Sequence, residues 1–300
     1  MADPKELARL RVLWDLLEPA RKTRIVDVGA NPINQAPYDG LRDADMVEVW
    51  AFEPQQSAYE ALLKDERKGQ HVLPVAVGQG GQETLYVCES SGFTSLLKPN
   101  PVFLDYLNRW HSDMEVVEEV AVQTTRLDDL DEIPEFDLLK IDVQGGEMAV
   151  FEHGRTKLKG ATAVITEVAA IPLYQDQPLL DQQMRELREQ GFDLHKFMHM
   201  KSVKTGRASQ FGFSNRIRRR FHQNQFVDGD AVFVRGLLQL DQQPSEALKH
   251  LAILADAVFQ SYDLGVQALT VLAERGVVQD RQVHDYIDNL PMVFKPEMAD

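Results

Sequence analysis

The chain has 300 residues, 44% of them hydrophobic and 26% charged, and a formal net charge of −15. This is the composition of a globular protein with room for one large α/β domain plus an accessory segment, which excludes a disordered chain or a marginal mini-protein. With one cysteine, Cys88, it can form neither an intrachain disulfide nor a cysteine-built zinc site.

The N-terminus has no cationic stretch leading into an apolar one, and no run of about eighteen uncharged apolar residues occurs. The expectation is a cytoplasmic protein without stable membrane insertion. Its negative field disfavours general nucleic-acid binding.

Leu7, Leu10, Leu13, Trp14 and Leu17 recur at helical spacing and predict an amphipathic helix within residues 1–22. Arg24 to Gly29 is a short β-branched run ending at glycine, the pattern of a buried parallel strand. Val47 to Glu53 predicts a second strand, followed by Pro54 and a helix through Leu63, and His71 to Val77 a third strand. Strands alternating with helices indicate a doubly wound parallel sheet. An insertion at about 79–123 carries β runs at Glu83 to Cys88 and Val116 to Gln123, with a Gly/Ser/Pro-containing loop and no clear helix between them.

Asp137 to Asp142 and Ala163 to Glu167 read as the next core strands, with helices from Glu147 to Phe151 and Asp181 to Gln190. Phe192 to Met198 and Ala231 to Arg235 complete seven strands over residues 23–236. Leu194 to Val227 holds eight basic and no acidic residues, a cationic lid for an anionic acceptor or simply a solvated loop. Residues 237–300 form a helical extension. Ser245 is its expected cap, and its stripe of Leu251, Leu254, Val258 and Phe259 either packs back on the chain or joins two copies into a homo-oligomer.

Three carboxylates stand at predicted strand ends: Asp27, Glu53 and Asp142. Ligands of open parallel sheets bind beyond the carboxyl ends of the strands. A glycine after strand one lets backbone approach a nucleoside, and an acid after strand two accepts from both ribose hydroxyls, so Gly29 and Glu53 imply a nucleoside-containing cofactor. A dinucleotide requires G-x-G-x-x-G, whereas Gly29 to Asn34 has one glycine, and no Tyr-x-x-x-Lys pair supports a sugar oxidoreductase. Carboxylates favour the sulfonium of S-adenosylmethionine and repel pyrophosphate. A non-catalytic assembly module on the same sheet remains the alternative.

The sequence resembles the FkbM-type S-adenosylmethionine-dependent methyltransferases. The matching segments are Val26-Asp27-Val28-Gly29-Ala30-Asn31, Ala51-Phe52-Glu53-Pro54, Ala76-Val77-Gly78, Thr125 to Leu130, Leu138 to Glu147, and the closing Asp230 to Arg235. The resemblance implies a seven-stranded, Rossmann-like class I methyltransferase sheet and methylation of a hydroxyl on a saccharide, glycan or other small-molecule acceptor. It further implies that Asp27, Gly29, Ala30 and Asn31 line the methionine moiety. Glu53 and Pro54 then hold the ribose, and Ala76 and Val77 border the adenine. Two positions depart from the pattern: Ile33 stands where the family usually has a second glycine, and Gln144 where it usually has glutamate.

Methyl transfer needs alignment of the acceptor oxygen and a base for its proton. Asp142, at a strand end, is the foremost candidate, unless it serves only to cap the turn at Gly145-Gly146. His195, with His199 and His222 as alternatives, is the second. Gln144 reads as a hydrogen-bonding contact. Glu147 reads either as a ligand-facing group or as a first-turn acid of the following helix. Asp142, Glu147 and Glu167 could gather a cation, but no spacing demands one and no metal is assigned. Lys140, inside a strand, needs a carboxylate partner, Asp27 or Glu167. Phe93-Thr94-Ser95 is expected to cover the site.

Overall fold

The structure is a computed structural model and describes residues 3–30, 35–64, 69–206 and 223–291. Asn31, the Pro32-Ile33 turn and residues 207–222 of the basic lid, with His222 and five of the lid's eight basic residues, lie outside them. Two units form: residues 24–35 with 48–237, and residues 1–23 with 36–47 and 238–300.

The larger unit is built on a seven-stranded sheet. Its strands are β1 (Thr23–Val28), β2 (Val47–Phe52), β3 (Gln70–Leu73), β7 (Leu138–Ile141), β8 (Ala163–Ala169), β9 (Phe192–Val203) and β10 (Gln225–Arg235), in the order β3-β2-β1-β7-β8-β10-β9. Pairings of β2 with β3, β1 with β7, and β7 with β8 are parallel, while β10 runs antiparallel to β8 and β9. Helices α3 (Gln56–Lys64), α5 (Glu147–Glu152), α6 (Arg155–Leu158) and α7 (Leu180–Glu189) connect the strands. The core holds Val26, Val28, Phe52, Leu139, Ile141, Val164 and Phe233, which is why these strands read as apolar runs rather than as alternating ones. The winding reverses between β1 and β7, so the ligand crevice of such a sheet opens at their carboxyl ends.

The third strand is not continuous. Pro74 lacks the N–H that a ladder needs, and the chain changes sheets there. Gln70–Leu73 pairs with β2, whereas β4 (Ala76–Val77) pairs with β6 (Val116–Thr125) in a separate sheet of order β4-β6-β5, with β5 at Gly81–Cys88. The insertion also contains a helix that periodicity did not signal, α4 (Pro101–Leu107). Its cue is chemical: the Asn100 side chain accepts from the Val102 N–H at 3.2 Å, with Pro101 in the first turn.

The smaller unit contains α1 (Pro4–Leu17), α2 (Asp39–Asp43), α8 (Ser245–Ala257), α9 (Tyr262–Glu274) and α10 (Asp280–Asp288). Pro244, not Ser245, takes the cap position of α8. Ser245 begins the helix, and its Oγ accepts from Arg275 at 3.1 Å. The apolar stripe of α8 is buried within the chain, and α8 packs on α1 and α9. Buried Asp256 is held by Arg9 Nε at 2.9 Å, Arg9 Nη2 at 3.0 Å and the Tyr286 hydroxyl at 2.7 Å, donors that offset its desolvation. Among the described residues, no helix is long and apolar enough to cross a membrane.

Candidate functional site

The carboxyl ends of β1, β2 and β7 are tied together by backbone. Gly29 and Ala30 donate to the Phe52 carbonyl at 3.0 and 3.1 Å, and the Asp142 N–H donates to Val28 at 3.0 Å. Gly29 has φ of 79°, and a Cβ there would lie 2.0 Å from the Asp142 carbonyl oxygen. Sequence reasoning assigned this glycine to approach by a nucleoside. What it admits in the structure is the end of β7.

Asp27 and Lys140 are rung partners, and Lys140 Nζ lies 3.1 Å from Asp27 Oδ1. The expected ion pair is thus present, and much of Asp27's charge is spent within the protein. Burial draws the lysine's pKa down, but Asp27, Asp142 and Asp230 outweigh it and hold the ammonium above its ordinary value.

Glu53 follows β2, 3% exposed, its Oε1 accepting from the Gln55 N–H at 2.8 Å. Burial, then the nearby Asp27 charge, raises its pKa against the pull of that N–H and of Lys140. Pro54 beside it is exposed, Ala30 is buried, and Ala76 and Val77 are buried in the smaller sheet.

Beyond β7 a second group assembles. Asp142, Glu147 and Glu167 each offer an oxygen within 4.8 Å of the others, a set that could hold a divalent cation. Turn capping falls to Glu147 rather than Asp142: its Oε1 accepts from the N–H groups of Val143 at 3.0 Å and Gly145 at 3.2 Å. Burial pushes the Glu147 pKa up to about 7 despite those donors, and the Asp142 charge adds to the rise. Glu167 is raised well above the usual carboxylate range by burial and by Asp142, Glu147, Asp228 and Asp230.

Gln144 bridges the cluster as a hydrogen-bonding contact. Its Nε2 donates to Asp142 Oδ1 at 2.7 Å and to Glu167 Oε2 at 3.1 Å, its Oε1 lies 3.1 Å from the Tyr174 hydroxyl, and its carbonyl accepts from Ser95 Oγ at 2.7 Å. Tyr174 also reaches the Phe93 carbonyl at 3.1 Å, so the Phe93-Thr94-Ser95 loop is joined to this network.

Sequence reasoning missed Tyr174, Asp228 and Asp230. Antiparallel pairing sets Asp230 beside Glu167, so acids at the start of β10 reach the ends of the parallel strands. The alternation of Asp228 and Asp230, two residues apart and therefore on one face, was the available signal. The structure does not bring His195 to Asp142. It falls in an irregularity of edge strand β9 between Leu194 and Lys196, with β10 and β8 intervening before β7. His199 is the rung partner of Asp230. Lys201 is committed to Asp228 at 3.1 Å and sits 4.7 Å from the Trp110 ring centre.

These residues suit S-adenosylmethionine by their chemistry: a buried carboxylate at the end of β2 for ribose hydroxyls, and an excess of carboxylate over ammonium at the end of β7 for a cation.

A family model described as the methyltransferase FkbM domain matches residues 27–194. No curated protein matches the chain. Among solved structures it is similar to a precorrin-6y C5,15-methyltransferase from Geobacter metallireducens GS-15, with 11% identity over 75% of this chain and 87% of that one, TM-score 0.36. It is also similar to the magnesium protoporphyrin IX methyltransferase of Synechocystis PCC 6803, solved with bound SAM, with 11% identity over 77% of this chain and 79% of that one, TM-score 0.33.

Proposed function

The chain belongs to the FkbM methyltransferase family, and from that premise we propose that it moves the methyl group of S-adenosylmethionine to a hydroxyl oxygen of a saccharide or related metabolite. The observation that carries this reading is the pairing of buried Glu53 at the end of β2 with the Asp142, Glu147 and Glu167 cluster at the end of β7. When bound, the cofactor supplies an electrophilic methyl group on a cationic sulfur. In this reading Glu53 accepts from the ribose hydroxyls, Ala76 and Val77 border the adenine, and the segment after Gly29 meets the methionine end.

Asp142 takes the acceptor's hydroxyl proton as the new oxygen–carbon bond forms. The surrounding carboxylates stabilise the cofactor's positive charge in a partly water-excluded site, and alignment supplies much of the acceleration.

The test is calorimetric titration of the full chain with S-adenosylmethionine, S-adenosylhomocysteine and NAD, followed by a screen of saccharide acceptors with methyl-labelled cofactor. Binding of both adenosyl ligands, no binding of NAD and label in a hydroxyl ether are the expected results. NAD binding, or no binding of either adenosyl ligand, overturns the reading.

A further inference from the structure

Trp110 has φ of 58°, a backbone state that a bulky side chain rarely adopts and that persists only where its surroundings hold it. The segment after α4 sets its indole against Phe93, ring centres 6.1 Å apart and tilted by 45°, and both residues keep part of their surface in solvent. Lys201 Nζ stands 4.7 Å from the Trp110 ring centre, 5.9 Å from that of Phe93 and 3.1 Å from Asp228 Oδ2. Resting on the methyl-transfer reading above, we propose that Trp110, Phe93, Lys201 and Asp228 form the acceptor subsite and that it takes the uncharged ring of a saccharide.

The sheet puts these residues next to the reacting end of β7. Lys201 and Asp228 are rung partners in β9 and β10, Asp228 pairs onward with Ala169 of β8, and Asp230 pairs with Glu167. From β7, which leads into Asp142, the strand order runs outward through β8, β10 and β9, whereas Glu53, assigned above to the ribose, follows β2 on the other side. The acceptor therefore comes to the methyl group from the side opposite the cofactor, the alignment that in-line transfer demands. Phe93 is tied to the same end, since its carbonyl and Gln144 Oε1 each lie 3.1 Å from the Tyr174 hydroxyl.

The chemistry matches a sugar. The C–H bonds on one face of a pyranose are weakly positive and apolar, and they suit the negative face of an aromatic ring. Its hydroxyls both donate and accept, and beside the rings stand an ammonium that donates and a carboxylate that accepts. Aromatic lining with a few polar groups is the usual make-up of a small-molecule site. Exposed Arg109, its guanidinium 5.1 Å from the Trp110 ring centre, braces the indole from its own segment. Charge selects the neutral ring: Lys201 is already matched by Asp228, and Asp142, Asp228 and Asp230 all bear on Glu167. A phosphate or carboxylate on the acceptor must meet these acids or force protons onto them, and either costs affinity.

The experiment is saturation-transfer NMR on the full chain with S-adenosylhomocysteine, with the methyl glycosides of glucose, galactose, mannose and rhamnose as probes beside glucose 6-phosphate and glucuronate. At least one methyl glycoside takes up saturation, concentrated on the C–H protons of one ring face, and the two anions take up less. Trp110→Ala weakens its binding about tenfold, the loss of one aromatic stack, Trp110→Phe restores most of it, and Lys201→Gln weakens it by less. Calorimetry with S-adenosylhomocysteine checks that each variant keeps its cofactor site; should Trp110→Ala not fold, Lys201→Gln, at a side chain 36% exposed, decides. No saturation of any glycoside, equal binding of the anions, or unchanged affinity in the folded variants overturns the subsite. Calorimetry with S-adenosylmethionine on the wild type separates the two claims: absent binding overturns the methyl-transfer reading and the acceptor role with it, whereas cofactor binding without glycoside binding overturns the subsite alone.

Discussion

Lys140 and Asp27 occupy one rung of the pairing between β1 and β7, and their side chains meet at 3.1 Å with little access to water. Replacing the lysine by methionine leaves Asp27 buried without its counter-charge, which should destabilise the fold by roughly 3–5 kcal/mol. Urea unfolding checks this. Adding Asp27→Asn to Lys140→Met should restore most of the loss.

Glu53→Ala should weaken S-adenosylmethionine binding by roughly 1.5–3 kcal/mol, the range for hydrogen bonds to a charged group. Calorimetry on the variant and wild type measures it. Equal affinity would show that the ribose lies elsewhere.

Glu147 makes stability depend on pH in a definite direction. Its ordinary value is 4.5 and its folded value about 7, so between these the folded chain binds more protons than the unfolded one. Its contribution is fully present below about pH 4.5 and is lost as pH rises through 7, a difference of about 3 kcal/mol. Glu147→Gln keeps an oxygen for the Val143 and Gly145 N–H groups and should flatten that slope. Urea midpoints across this pH range in the two proteins decide the matter.

Gly29→Ala combines a left-handed backbone with a contact of 2.0 Å to the Asp142 carbonyl. The loss should exceed about 2 kcal/mol, beyond strain alone, because two strand ends must separate. Thermal unfolding measures it, and a near-neutral variant would mean that these ends are not closed against each other.

In the smaller unit, Tyr286→Phe removes one donor from buried Asp256 while Arg9 remains. A loss of about 1–2 kcal/mol is expected in urea unfolding.

The core strands were legible because a strand buried on both faces must be apolar along most of its length, as Ile25, Val26 and Val28 and Leu138, Leu139 and Ile141 are. Carboxylates interrupting those runs therefore marked the strand ends, and the partner of Lys140 could be narrowed to Asp27 or Glu167. Pro74 was visible, but a proline shows only that a ladder breaks. The sheet that Ala76 joins depends on β6, far along the chain. Tyr174 escaped notice for the same reason: its hydroxyl meets Gln144 and Phe93 only after β7, β8 and the insertion have assembled. His195 was chosen for its chemistry, and chemistry alone does not reveal that edge strand β9 stands apart from β7.

The reversal of strand order between β1 and β7 also has a consequence for biosynthesis. Arg24 and Asp137, which open that pairing with hydrogen bonds of 2.8 Å, are 113 residues apart. A chain emerging from the ribosome N-terminus first presents Asp27 and Glu53 long before Lys140 exists to neutralise the former. The β1 edge waits in water until β7 arrives, and the slow closure of so large a loop sets when it can close. A nascent chain released before Ile141 is made has β2 on one side of β1 and nothing for the other, so the β7 side of the strand is completed late.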